Sequence, residues 1–186
     1  RTFVLGGNIG KNTATPNEEA IHDYSKVIEG LYNHVDYIVL NVSCPNVANL
    51  GKLQSKEYLS SIMGMMRDYR AEKPTQKPLV LKISPDLSEK QLHESLELVS
   101  CYNFNAVIYS NTTTSREHLS IGESKVKLIG NGGLSGAPLF DNNIKKMAFV
   151  RKNLPSDVAL IACGGISSAS KAKQMIDEGA DLIQIY

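Results

Sequence analysis

The 186 residues suffice for one domain with a real core, and 42% apolar with 21% charged residues is ordinary for a soluble globular chain. A net charge of +1 and the absence of tryptophan give no basic field and few stacking platforms for nucleic acid. No window approaches the roughly 18 apolar residues of a membrane span, no signal peptide is visible, and three scattered cysteines form neither a disulfide framework nor a CxxC metal pattern.

That cysteine usage fits a reducing, cytosolic compartment. In chain order, short apolar runs bounded by turn residues predict strands at 2–7 (TFVLGG), 37–42 (YIVLNV), 79–84 (LVLKIS), 106–111 (AVIYSN), 159–164 (ALIACG) and 182–186 (LIQIY). The runs are mostly continuous, as in strands buried on both faces. Helical patterns separate them. Residues 17–30 follow Pro16 with acids in the first turn. Residues 55–71 open on Ser55 and Glu57, and 88–102 place Leu92, Leu96 and Val99 on one face behind Ser88 as an N-cap. Residues 141–153 and 168–178 complete the set. The stretch 112–140 carries no clear element, and a connection that long is often functional. Because the chain begins in "RTFVLGGN" and stops in "LIQIY", both inside apolar runs, it is expected to be a piece of a longer protein.

Strand alternating with helix means a parallel sheet, either doubly wound or part of a (β/α)₈ barrel. Nearly every strand empties into polar chemistry: "GGN", "NVSCPN", "KISPD", "SNTTTS" and "CGGISS". Groups gathered from the ends of many strands are the barrel habit, whereas an open sheet concentrates them at one crevice. "GNGGLSG" (130–136) and "CGGISSAS" (163–170) offer bare backbone N–H groups, the second at a helix start, where a phosphate can sit; shaping turns is the plainer use of such glycines. Lys82, inside "LVLKIS", must be paired, serve a ligand, or reach water from an edge strand. Asn8, Asn41, Asn46 and Asn111 lie at strand ends. Each can cap a turn, but together they resemble a cage for a flat polar ligand such as an imide or pyrimidine edge. Cys44 lies between polar neighbours with Pro45 fixing the turn, a setting for a reactive thiol rather than an apolar filler. Cys101 and Cys163 are expected to be structural, and His22, His34, His93 and His118 show no metal-ligand spacing.

"GGNIGKN", "NVSCPN" followed by "LQ", "LVLKISPDL", "SNTTTSR", "GGLSGAPL" and "CGGISSASKA…GADLIQIY" occur in the order seen in dihydroorotate dehydrogenases, and the resemblance covers essentially the whole chain. The "NTTTSR" and "GGLSG" blocks resemble class 2, the membrane-associated, quinone-reducing branch. The resemblance implies an α/β fold, a (β/α)₈ TIM barrel holding FMN, of which these six strands are the third to eighth. It implies that residues 1–186 form one partial FMN-binding barrel domain, lacking its amino-terminal part and extreme carboxy terminus. The isolated piece is then expected to bind FMN poorly and to have no turnover. Asn8, Asn41, Lys82 and Ser110 match positions that contact the flavin ring and ribityl chain, Ser110 standing where threonine is common. Gly136, Gly165 and Tyr186 match the phosphate end. Asn41, Asn46, Asn111 and Thr112 match orotate contacts, and Cys44 matches the catalytic base. The implied location is cytoplasmic, peripheral on the inner face of the cell membrane through a segment not present here.

Class 2 members usually carry serine at the position of Cys44, and cysteine marks class 1. The resemblance therefore leaves the electron acceptor open between a quinone and fumarate or NAD. Non-flavin phosphate-binding barrels and a non-catalytic binding fragment are the other readings of the residues. A thiol ionises near pH 8.5, far below a serine hydroxyl, so turnover limited by chemistry is expected to rise with pH along a thiol-like pKa. A rate profile between about pH 6 and pH 10 checks this, and a flat profile overturns it.

Overall fold

Apolar runs of four or five residues are too short for a stable helix but long enough to cross a sheet. The computed structural model, which describes residues 2–42, 55–117 and 119–186, turns each predicted run into a strand. The strands are β1 (Gly6–Ile9), β2 (Tyr37–Asn41), β3 (Leu79–Ile83), β4 (Ala106–Tyr109), β5 (Ala159–Cys163) and β6 (Leu182–Gln184). The described helices are α1 (Ala20–Leu31), α2 (Lys56–Ala71), α3 (Glu89–Cys101), α4 (Glu123–Ile129), α5 (Pro138–Lys152) and α6 (Ala169–Asp177). Every pairing is parallel, and the strands lie in sequence order from β1 to β6. A doubly wound sheet reverses its order at a switch point. This one never does, which decides for the wall of a partial (β/α) barrel.

Side-chain parity divides that wall into two faces. Ile38, Leu40, Leu79, Leu81, Ile83, Val107, Tyr109, Leu160 and Ala162 belong to the main core, together with apolar residues of the helices. The alternate positions Val39, Val80, Ala106 and Ile108 form a separate small cluster on the opposite face, with Ile161 and Cys163 against it. Helices on one face and a second apolar layer on the other are the outside and inside of a barrel wall.

The helices are set by their ends and stripes. Ser88 and Gln91 make a complete capping box at the start of α3, and Leu92, Leu96 and Val99 are buried as their spacing requires. Ser55 accepts from Tyr58 N at the start of α2. Two differences from the sequence expectations have physical causes. Phe3, Val4 and Leu5 are 64%, 75% and 40% exposed, and the strand begins only at Gly6. The aligned partner decides this: Gly6 faces Tyr37, and a Cβ there would lie 2.2 Å from the Tyr37 ring, so glycine is what permits the pairing. The stretch 112–140 contains α4 and an isolated bridge between Thr113 and Leu134. Its seven-residue helix is too short to leave a clear period.

The amino-terminal ends of the central strands are tied by one amide. Asn105 Oδ1 accepts from Leu79 N at 3.0 Å, and Asn105 O accepts from Ala159 N at 3.0 Å. Arg70, 8% exposed, fastens this knot from α2, donating to Asn105 Oδ1 at 3.0 Å and to Asn103 O at 2.9 Å. Arg70→Met would strand Asn103 O, and is expected to lower the unfolding free energy by about 1–3 kcal/mol. Urea denaturation checks this as a lower midpoint at unchanged slope.

Candidate functional site

Parity and register bring the predicted residues together. Asn8, Asn41 and Lys82 occupy inward positions at the carboxyl ends of β1, β2 and β3, and Asn41 is the direct register partner of Lys82. They line a cavity of about 600 Å³. Ser110, Asn111 and Thr112 line it from the end of β4, Gly136 from the turn before α5, Gly165 from the turn after β5, and Tyr186 from beyond β6. Cys44 and Asn46 lie outside the described residues, as does His118.

Two of the polar lining residues are joined directly. Asn111 Nδ2 lies 3.4 Å from Asn41 Oδ1, and Tyr24 on α1 donates its hydroxyl to Asn41 O at 3.0 Å. Lys82 is half-buried, and among the described residues its ammonium has neither a hydrogen bond nor an ion pair. Because β3 is an inner strand, its charge is not that of an edge residue turned to solvent. Gln184 Oε1, on the same cavity wall, is buried with no partner among the described residues. A cation and an orphaned acceptor facing one cavity are groups with unused capacity for a polar ligand.

The glycine-rich segments shape the other part of the lining. Gly165 has φ +75°, and a Cβ on it would lie 2.6 Å from Phe140 N, so the turn after β5 presses against the start of α5. Helix α6 follows at once, with Ser168 Oγ accepting from Lys171 N. Gly136, Ala137, Gly165, Ile166 and Ser167 all line the cavity. The lead-ins to two helices therefore flank it, an arrangement that favours an anion.

Four contributors were not singled out from the sequence. Asp86 anchors the loop that carries Asn111 and Thr112, accepting from Thr113 Oγ1, from Thr114 N at 2.7 Å and from Thr114 Oγ1 at 2.8 Å. Lys146 of α5 in turn holds Pro85 O at 3.0 Å. Asn143 of α5 bridges Ser110 and Cys163. The signal for Asn143 was an amide in the apolar stripe of its helix; for Asp86, a carboxylate directly after a strand-ending proline. Gln184 gave no signal apart from its place in the last strand.

The cysteines divide differently from expectation. Cys163 faces the cavity at the end of β5, where burial pushes its thiol pKa up and the Lys82 charge pulls against that. Cys101, expected as structural filler, is exposed, because it falls off the buried stripe at the last residue of α3.

A sequentially ordered parallel wall with its polar groups collected at the carboxyl ends of the strands defines a (β/α)-barrel ligand site. The family model for dihydroorotate dehydrogenase matches residues 3–186, and the chain belongs to that family. It is 40% identical over 186 residues to the dihydroorotate dehydrogenase (quinone) of Christiangramia forsetii, covering 100% of this chain and 54% of that protein. To the protein of the same description from Bordetella avium it is 40% identical over 187 residues, covering 98% and 53%. A crystal structure of DHODH from Eimeria tenella in complex with ferulenol superposes with a TM-score of 0.88 at 30% identity, covering 100% of this chain and 53% of that one. Its ligand-free form gives 0.88 at 32% identity. The chain spans about half the length of the curated relatives it matches.

A raised thiol pKa means less thiolate at a given pH and slower alkylation. Iodoacetamide labelling followed by peptide mass spectrometry near neutral pH is expected to modify Cys101 well before Cys163. Equal rates at the two would contradict the burial of the Cys163 thiol.

Proposed function

We propose that the complete natural polypeptide carrying this chain oxidises dihydroorotate to orotate, the redox step of de novo UMP synthesis, with FMN in the cavity and a quinone as electron acceptor. The observation that carries this is that each described residue the motifs nominate, from Asn8 to Tyr186, lines one cavity. The lining fits the cofactor: about 600 Å³ lies within the range of small-molecule sites, the Lys82 ammonium, unpaired among the described residues, faces in, and glycine turns lead into helix N-termini. The names of the relatives, dihydroorotate dehydrogenase (quinone), support both substrate and acceptor.

FMN, when bound, would supply a two-electron acceptor for the hydride that leaves C6 of dihydroorotate. Asn8, Asn41, Lys82 and Ser110 would hold its ring and ribityl chain, and Gly136, Gly165 and Tyr186 its phosphate. The fixed charge of Lys82 favours the negative charge that accumulates on reduction. Asn41, Asn46, Asn111 and Thr112 would grip the pyrimidine edge with amide donors and acceptors, fixing the angle of approach, an effect of order 7–11 kcal/mol at best. Cys44 would remove the proton from C5, so that the C5–C6 double bond forms as proton and hydride depart to opposite partners.

Residues 1–186 would act as one partial FMN-binding domain. The site of action would be cytoplasmic, peripheral on the inner face of the cell membrane; no described helix is long and apolar enough to cross one. Cys44 is the specific residue that favours a second reading, a class 1 enzyme using fumarate or NAD.

The test is a visible spectrum of the complete polypeptide before and after anaerobic dihydroorotate. Flavin bands that bleach on addition are expected, with colour restored by a quinone and not by fumarate. Restoration by fumarate or NAD alone would move the protein to class 1. Flavin bands that persist would remove dihydroorotate as substrate, and absence of flavin would leave a non-flavin phosphate-binding barrel.

A further inference from the structure

Asn143 lies in the middle of α5 at 0% exposure, on a stripe otherwise made by Leu139, Phe140, Met147 and Val150. Asparagine is a weak helix former, and a buried amide is costly unless both of its ends are bonded. Both are. Its Oδ1 accepts from Ser110 Oγ at 2.9 Å, and its Nδ2 donates to Cys163 O at 2.9 Å. The same carbonyl accepts the backbone N–H of Ser110 at 3.0 Å. These three bonds close a ring joining the end of β4, the end of β5 and α5. The amide also fits against bare backbone: a Cβ on Gly164 would lie 2.9 Å from Asn143 Nδ2. An apolar side chain of similar volume would fill the stripe equally well, so packing alone does not call for an amide here.

We propose that Asn143 is a positioning residue of the flavin site, holding Ser110 and the Cys163–Gly165 turn in fixed relation. This rests on the FMN assignment above. Ser110, Cys163, Gly164 and Gly165 line the cavity, while Asn143 stands behind them. Ser110 belongs to the ring and ribityl side of the proposed site, and Gly165 to its phosphate side. One side chain therefore sets the spacing between the two parts of the cofactor's bed. Removing it loosens both, because both bonds end on the same amide.

The test uses Asn143→Leu and Asn143→Asp in the complete polypeptide, with Val150→Ala as a destabilising control on the same helix stripe. Leucine removes both bonds at similar size. Aspartate keeps the acceptor for Ser110 and turns an oxygen toward the Cys163 carbonyl. Dissociation constants for FMN and riboflavin are read from free-flavin fluorescence, and hydrogen exchange is followed over 109–112 and 163–167 without ligand. Asn143→Leu is expected to weaken FMN by about tenfold or more, the loss of at least one good hydrogen bond. Asn143→Asp is expected to weaken FMN more than riboflavin and to speed exchange in 163–167 alone, whereas leucine speeds it in both segments. FMN binding within about twofold of wild type in both variants, or weakened no further than in Val150→Ala, would overturn the proposal. Should the leucine variant not fold, the aspartate variant and its exchange pattern decide. A wild type that binds no flavin, with exchange still accelerated in the predicted segments, would sink the cofactor and leave the positioning role standing.

Discussion

The site depends on parallel register. Six strands laid side by side in chain order place all their carboxyl ends on one rim, and the alternation of side chains decides which residues of that rim face inward. Asn8, Asn41 and Lys82 are far apart in the chain, yet they share a face because each sits on the inward phase of its strand. A slip of one residue in any pairing would turn that strand's polar group into the helix layer and its leucine or isoleucine into the cavity. The burial of Leu79, Leu81 and Ile83 under the helices is therefore also what fixes where the Lys82 ammonium points.

Different bonds secure the two ends of the wall. At the amino-terminal end, Arg70 and Asn105 join β3, β4 and β5, and neither lines the cavity that gathers the polar strand ends. At the carboxyl-terminal end, Asp86 and Asn143 hold the loops that carry the polar lining. The first set contributes to stability, and the second spends its hydrogen bonds on orientation. Tyr109 lies at this rim with its hydroxyl buried, its pKa raised by that burial and by the Asp86 charge, which keeps it a neutral part of the core.

Much of this was legible in the sequence. Continuous apolar runs gave the strands, and amphipathic spacing with Ser55 and Ser88 gave the helix starts. The order of polar strand ends pointed to a barrel, and sequential pairing then decided it. What was not legible depended on partners distant in the chain. The start of β1 is set by pairing with Tyr37, which the run "TFVLGG" does not contain. Helix α4 is too short to show a period. Asn143 and Asp86 act through contacts with residues 20 to 33 positions away, so their local signals do not say what they hold. The identity of Cys44 was plain, but its surroundings lie outside the described residues.

The cavity lining runs from Asn8 in the first strand to Tyr186 at the last residue of the chain. No contiguous segment could assemble it, so the site comes into being only when the whole wall is in order. A ligand held there binds the finished state and nothing less, and by mass action it draws the entire chain toward that state. Thermal resistance then becomes a function of ligand supply. The occupant of the cavity would serve as a brace for the fold as well as a participant in its chemistry.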